Sequence, residues 1–155
     1  MPARIVQISL SNGGVPKTAV PEAKVIETGL VGDRQKTPNI HGGPERAVCL
    51  WSLEVIETLQ QEGHTIAPGY AGENVTLSGL DWPQVIPGVQ LQLGSDVQLE
   101  IASYAAPCRK NMRWFADKRY SRISHKHYPG SSRVYARVLR SGKICEGDEV
   151  VILDQ

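Results

Sequence analysis

The sequence predicts a mostly β fold, a barrel or sandwich carrying one or two helices, and three observations predict it. Short runs of alternating apolar and polar residues recur along the chain, most cleanly at 97–101 and 134–140. Glycine-rich turns separate these runs, with 15 glycines among 155 residues. Only one stretch has a clear helical period, so turns rather than regular strand–helix–strand spacing dominate the pattern.

Ala3 to Leu10 reads as the first strand, with Ile5, Ile8 and Leu10 among its apolar positions and Val6 breaking strict alternation. Ser11-Asn12-Gly13-Gly14 is turn chemistry. A second short strand runs from Ala23 to Thr28, followed by the loop Gly29 to Asp33 and a long polar loop containing His41-Gly42-Gly43-Pro44. Arg46 to Trp51 is a further strand. Ser52 is placed to cap a helix reaching Glu62, with Leu53, Ile56 and Leu59 on one face and Gly63 to end it. Gly72 to Leu77 reads as a short strand, and Val89 to Leu93 with Val97 to Ile101 as a hairpin turning at Gly94-Ser95. Cys108 to about Lys118 is helix-compatible, and Tyr120 to Gly130 lacks a period and reads as loop. Val134 to Arg140 is a strand, Ser141-Gly142 a turn, and Asp148 to Leu153 the last strand.

The length suits one domain, residues 1–155, able to bury a core without disulfide or metal staples. Hydrophobic content of 41% with 21% charged residues is that of a soluble globular chain. No apolar run approaches the roughly 20 residues a membrane helix needs. Met1 to Leu10 lacks the apolar centre of a signal peptide. Three cysteines, none closely paired, fit a reducing compartment, so a cytoplasmic location is expected. No Cys/His grouping has finger-like spacing, the nearest being His125-x-His127. The net charge is only +1, but ten of the 17 basic residues lie between Ala105 and Arg140, against one acid, Asp117. Such a block steers anions or is simply a solvated face. Nucleic acid is not expected as a partner, because the segment matches no recognised binding module.

Cys108 is the leading candidate for chemistry. It sits where a strand gives way to a helix-compatible stretch, and a helix N-terminus with cationic Arg109 and Lys110 would favour its thiolate. The alternative is a small apolar residue tucked beneath a helix. Arg109, Lys110 and Asn111 stand close enough to share one anion, with Arg137 as a possible contribution from the late strand. His41, beside two glycines, could orient a ligand or transfer a proton, or simply bond a loop carbonyl. Asn74 and Glu73 could contact a ligand or hold their loop through side-chain to backbone hydrogen bonds. Cys49, in an apolar run, reads as core, and Cys145 has no assigned role.

An ordered set of motifs completes the reading: Gly32-Asp33; His41-Gly42-Gly43-Pro44 with Arg46-Ala47-Val48; Gly72-Glu73-Asn74-Val75-Thr76; Pro107-Cys108-Arg109-Lys110; and Ala136-Arg137-Val138-Leu139 with Gly142-Lys143-Ile144 and Gly147-Asp148-Glu149-Val150. Together, from about Ile5 to Leu153, these resemble the MOSC domain, the molybdenum cofactor sulfurase C-terminal module. The resemblance implies a closed or partly open β-barrel that binds the molybdenum cofactor, a pterin dithiolene with a terminal phosphate. It implies Cys108 as the metal ligand, and His41 is the second candidate catalytic residue. Arg109, Lys110, Asn111, Asn74 and Arg137 become cofactor-binding residues. Two kinds of work follow: reduction of a small N-hydroxylated substrate with electrons from a separate reductase, or carriage of sulfur or cofactor, with Cys108 loaded by a sulfur-donor protein.

Overall fold

The computed structural model describes residues 2–34 and 43–153. Eleven strands form two sheets among them. Ala3–Leu10 (β1), Thr18–Val20 (β2), Glu22–Ile26 (β3) and Gly29–Leu30 (β4) come first, then Val48–Ser52 (β5) and Val75–Ser78 (β6). Gln90–Leu93 (β7), Val97–Tyr104 (β8), Val134–Arg140 (β9), Gly142–Cys145 (β10) and Glu149–Ile152 (β11) follow. The large sheet runs β11-β7-β8-β9-β5-β6-β1-β2, and β11 also pairs with β1. Seven strands therefore close into a barrel with β2 hanging from β1, which settles the barrel-or-sandwich alternative. The small sheet is β10-β3-β4.

Every pairing in the barrel is antiparallel except β5 with β6, where Leu50 faces Val75 in parallel register. Parallel neighbours need a crossover. It is supplied by the one α-helix among the described residues, Leu53–Gln61 (α1), which lies between them in the chain. Ser52 caps α1 by accepting the Val55 N–H at 3.2 Å, Ile56 and Leu59 are buried, and Gly63 ends it at φ 98°. The irregular alternation at Val6 is a bulge: the β1–β6 register shifts between Ile5 and Gln7. Leu91 and Leu93 of β7 and Val97, Leu99 and Ile101 of β8 turn inward and are essentially inaccessible.

One expected helix is different. The stretch from Cys108 to Lys118 is a 3₁₀ segment, Arg109–Trp114, and the chain then bends. Arg109, Lys110 and Arg113 crowd like charges at adjacent and i+4 positions with no acid to pair them, which weakens an α-helix. Lys118 sits at φ 62°, outside any right-handed helix. Three further 3₁₀ turns lie at Pro44–Arg46, Trp82–Gln84 and Tyr120–Ile123, the last inside the stretch read as loop. No helix among the described residues is long and apolar enough to cross a membrane.

Candidate functional site

Cys49 on β5 and Tyr135 on β9 are register partners, and with Ala105 they form an apolar cluster separate from the main core. Cys49 and Tyr135 form the floor of a pocket on the flank of the barrel. The segments 14–17, 71–74 and 108–111 wall it in, around a cavity of about 70 Å³.

Two polar networks build the walls. In the first, Lys17 donates from Nζ to both oxygens of Asp33, at 2.9 and 2.8 Å, and both side chains are almost fully buried. Asp33 also accepts the Ser11 N–H at 3.0 Å and the Asn74 Nδ2–H at 2.9 Å. Asn74 in turn accepts the Cys49 N–H on Oδ1 at 3.0 Å. Asn74 stands just before β6 rather than within it, which frees its side chain to reach across to β5. In the second network, Asn111 Nδ2 and Arg133 Nη1 both donate to the Ala71 carbonyl, at 3.3 and 2.9 Å, and Arg133 Nη2 donates to the Ala106 carbonyl at 2.8 Å. Asn111 is 1% and Arg133 5% exposed. Asn111 Oδ1 and Arg133 Nε remain buried without a hydrogen-bond partner among the described residues. An orphaned buried polar atom costs about 1–3 kcal/mol, so this acceptor and this donor are held beside the pocket at a standing penalty.

Cys108 contributes a half-buried thiol to the same pocket. Burial pushes the second thiol, Cys49, up to about 11, with Arg133 working against it and Glu73 adding to it. Burial also pushes the Tyr135 phenol up to about 12, assisted by Cys49. Glu73 is buried beneath the 69–73 turn, where its Oε2 accepts the Gly69 N–H at 2.9 Å and Thr76 Oγ1–H at 3.3 Å; burial raises its carboxyl above the usual range.

Of the residues expected at a site, the structure brings Cys108, Lys110, Asn111 and Asn74 to this pocket. Arg109 lines an adjoining outer groove instead, together with Lys110, Arg34 and Arg113. Arg137 is elsewhere: on β9 it bridges Glu45 at 2.9 Å and Glu100 at 2.5 Å, so its charge is already matched and it does not line the pocket. His41 lies outside the described residues. His125 is stacked on Tyr104 with ring centroids 3.6 Å apart, and no group of three or more His, Cys, Asp or Glu side chains suited to a metal occurs among the described residues. Sequence reasoning missed Lys17, Arg34 and Arg133 as pocket residues. Arg133 was one cation among ten; its place immediately before a clean strand, beside the buried β5, was the available signal.

A closed seven-stranded barrel with a thiol in a cation-lined flank pocket defines the class of protein. The MOSC domain family matches residues 37–151, and the chain belongs to that family. Protein YflK of Bacillus subtilis is 27% identical over 161 residues, covering 93% of this chain and 72% of YflK. A Gibberella moniliformis protein named Reductase is 30% identical over 133 residues, covering 83% of this chain but only 23% of the relative. Among solved structures, YiiM from Geobacillus stearothermophilus superposes with a TM-score of 0.74 at 25% identity, over 99% of this chain and 76% of YiiM. The expected family and its barrel are thus both found.

Proposed function

We propose that the flank pocket binds the molybdenum cofactor, with Cys108 as the protein's sulfur ligand, and that the protein reduces N-hydroxylated compounds using electrons from a separate donor protein. One observation carries this reading: a half-buried thiol shares one pocket with Arg34 and Lys110, cations that no acid among the described residues matches, and with the buried Asn111 and Arg133, each of which keeps a polar atom without a partner among those residues. The donor set fits the group. Asn111 and Arg133 line the pocket with an amide and a guanidinium, groups of the kind that recognise the donor and acceptor edge of a pterin ring. Lys110 and Arg34, shared between pocket and groove, suit a terminal phosphate.

When bound, the cofactor supplies oxygen-atom transfer at molybdenum. This chain supplies the rest. Cys108 gives a soft sulfur to a soft site and leaves other positions open. Cys49 remains a protonated thiol at neutral pH, so it does not compete as a thiolate. Tyr135 remains a phenol through the same range. Asn74, tied to both Asp33 and β5, fixes the back wall against which a substrate would rest. The Gibberella relative named Reductase supports the redox reading. A half-buried Cys108 also suits a carrier role, in which it accepts a sulfane sulfur from a donor persulfide and the donor leaves as a thiolate.

The test is metal content. Protein from cofactor-competent cells should hold molybdenum, and Cys108→Ala should lose it. Absence from wild type, or full retention in the variant, sinks the reading. An added reducible sulfur on Cys108 in the intact mass, without metal, selects the carrier role.

A further inference from the structure

Beside the pocket lies the outer groove, of about 820 Å³, floored by the Asn12-Gly13-Gly14-Val15 turn and edged by Arg34, Arg109, Lys110 and Arg113. No carboxylate lines it among the described residues. Elsewhere on the surface some cations are matched, Arg122 by Glu62 at 2.8 Å, Arg137 by Glu45 and Glu100, and Lys143 by Glu22, while Lys24, Lys118, Arg119, Lys126 and Arg140 form no ion pair with the described residues. In the groove none is matched. The side chains of Arg34, Arg109 and Lys110 make no ion pair or hydrogen bond with the described residues. Arg113 gives one N–H to the Val15 carbonyl and lies 4.5 Å over the Trp114 ring, which holds the guanidinium in place without neutralising it. What sets the groove apart is that four such cations surround one concavity with no carboxylate in its lining.

Charge counting separates two roles. A phosphate monoester carries about −1.5 to −2 near neutrality, which Lys110 and Arg34 together balance at the junction of pocket and groove. Arg109 and Arg113 then remain, and both line the groove alone. We propose that Arg109 and Arg113 form a second anion site, which seizes the carboxylate or phosphate of a small-molecule substrate entering through the groove, so that the substrates are anionic N-hydroxylated compounds. The groove's walls focus its field outward and raise the local concentration of such molecules. The proposal rests on the pocket reading only in placing the reacting end toward Cys108; the anion site itself stands on the groove.

Binding is measured on metal-free protein by calorimetry and Trp114 fluorescence, with phenyl phosphate and benzoate as anionic probes and benzyl alcohol as the neutral control. Wild type should bind the anions and not the alcohol, with affinity falling as salt rises. Arg109→Gln, which breaks no contact with the described residues, should weaken anion binding about threefold to tenfold, and Arg109→Gln/Arg113→Gln at least tenfold, while Cys108→Ala binds as wild type. A double variant that binds as wild type, or a neutral probe that binds as well as the anions, overturns the site. Molybdenum content keeps the two readings apart: the double variant should load metal normally, and loss of metal together with anion binding would assign both arginines to the cofactor and overturn the proposal. Wild type without metal but with intact anion binding would instead sink the cofactor reading alone. In the loaded protein, the double variant should raise KM at least tenfold for a carboxylated N-hydroxy compound at unchanged kcat and leave its methyl ester unaffected; equal effects on both would also overturn it.

Discussion

Replacing Lys17 with Met isolates the buried ion pair that holds the pocket's back wall. The ammonium and the Asp33 carboxylate are 6% and 5% exposed and joined by two hydrogen bonds. Removing one partner of such a pair strands the other charge, at about 3–5 kcal/mol. The low end applies, about 3 kcal/mol, because Asp33 retains N–H donors from Ser11 and Asn74. With a urea m-value of about 2 kcal/mol/M, that is a midpoint shift of about 1.5 M, read by tryptophan fluorescence. Adding Asp33→Asn removes the stranded charge, so the double variant should be no less stable than Lys17→Met alone, although Asp33→Asn by itself is destabilising. Additive costs within about 0.5 kcal/mol, or a Lys17→Met midpoint near wild type, would refute the claim that this pair organises the wall.

Two other outcomes follow from local geometry. The Cys49 thiol rises from an ordinary value of 9.0 to about 11 in the folded chain, so the unfolded state loses its proton first and stability falls as pH climbs from 9 to 11. By pH 10.5 the loss is about 2 kcal/mol, and Cys49→Ala should show a correspondingly shallower decline in urea midpoint between pH 8 and 10.5; parallel declines would contradict the burial argument. At Gly69, φ is +86° and a Cβ would stand 2.8 Å from Ser9 Oγ and 2.9 Å from the Lys17 carbonyl, so Gly69→Ala should cost about 3 kcal/mol or more. Gly14→Ala shares a positive φ but meets open space, and should cost only about 1–2 kcal/mol by thermal unfolding.

Much of the barrel is written in local pattern. β9 runs over Val134–Arg140, the span its alternation predicts, and the β7–β8 hairpin and α1 with its Ser52 cap sit where their signals place them. What escaped was short or distant. β2, β4 and β10 span two to four residues, too few to carry a period. Closure depends on two residue pairs, Ala3 with Val150 and Arg4 with Glu149, from opposite ends of the chain. At the site, Cys108, Lys110, Asn111 and Asn74 were legible from residue type and motif order. Lys17 was not, because its meaning comes from a carboxylate sixteen positions away that shares its burial. Arg109 and Arg137 looked equivalent to Lys110 in sequence; tertiary placement sent one to the groove and the other to Glu45 and Glu100.

The placement of the pocket explains why its polar atoms are tolerated. The barrel interior is filled by apolar side chains such as Leu50, Leu91 and Leu99, leaving no room for a ligand among them. The pocket is made instead by connections laid over β5 and β9, and each connection is pinned by a buried polar side chain: Lys17 and Asp33 hold 11–17, Asn74 holds the entry to β6, Asn111 and Arg133 hold Ala71. Of these side chains Lys17, Asn74, Asn111 and Arg133 also line the pocket. Removing one therefore changes stability and ligand affinity together, whereas Arg109, which pins nothing, can be changed without touching the frame. Stability measurements alongside binding thus separate the residues that shape the pocket from those that meet what enters it.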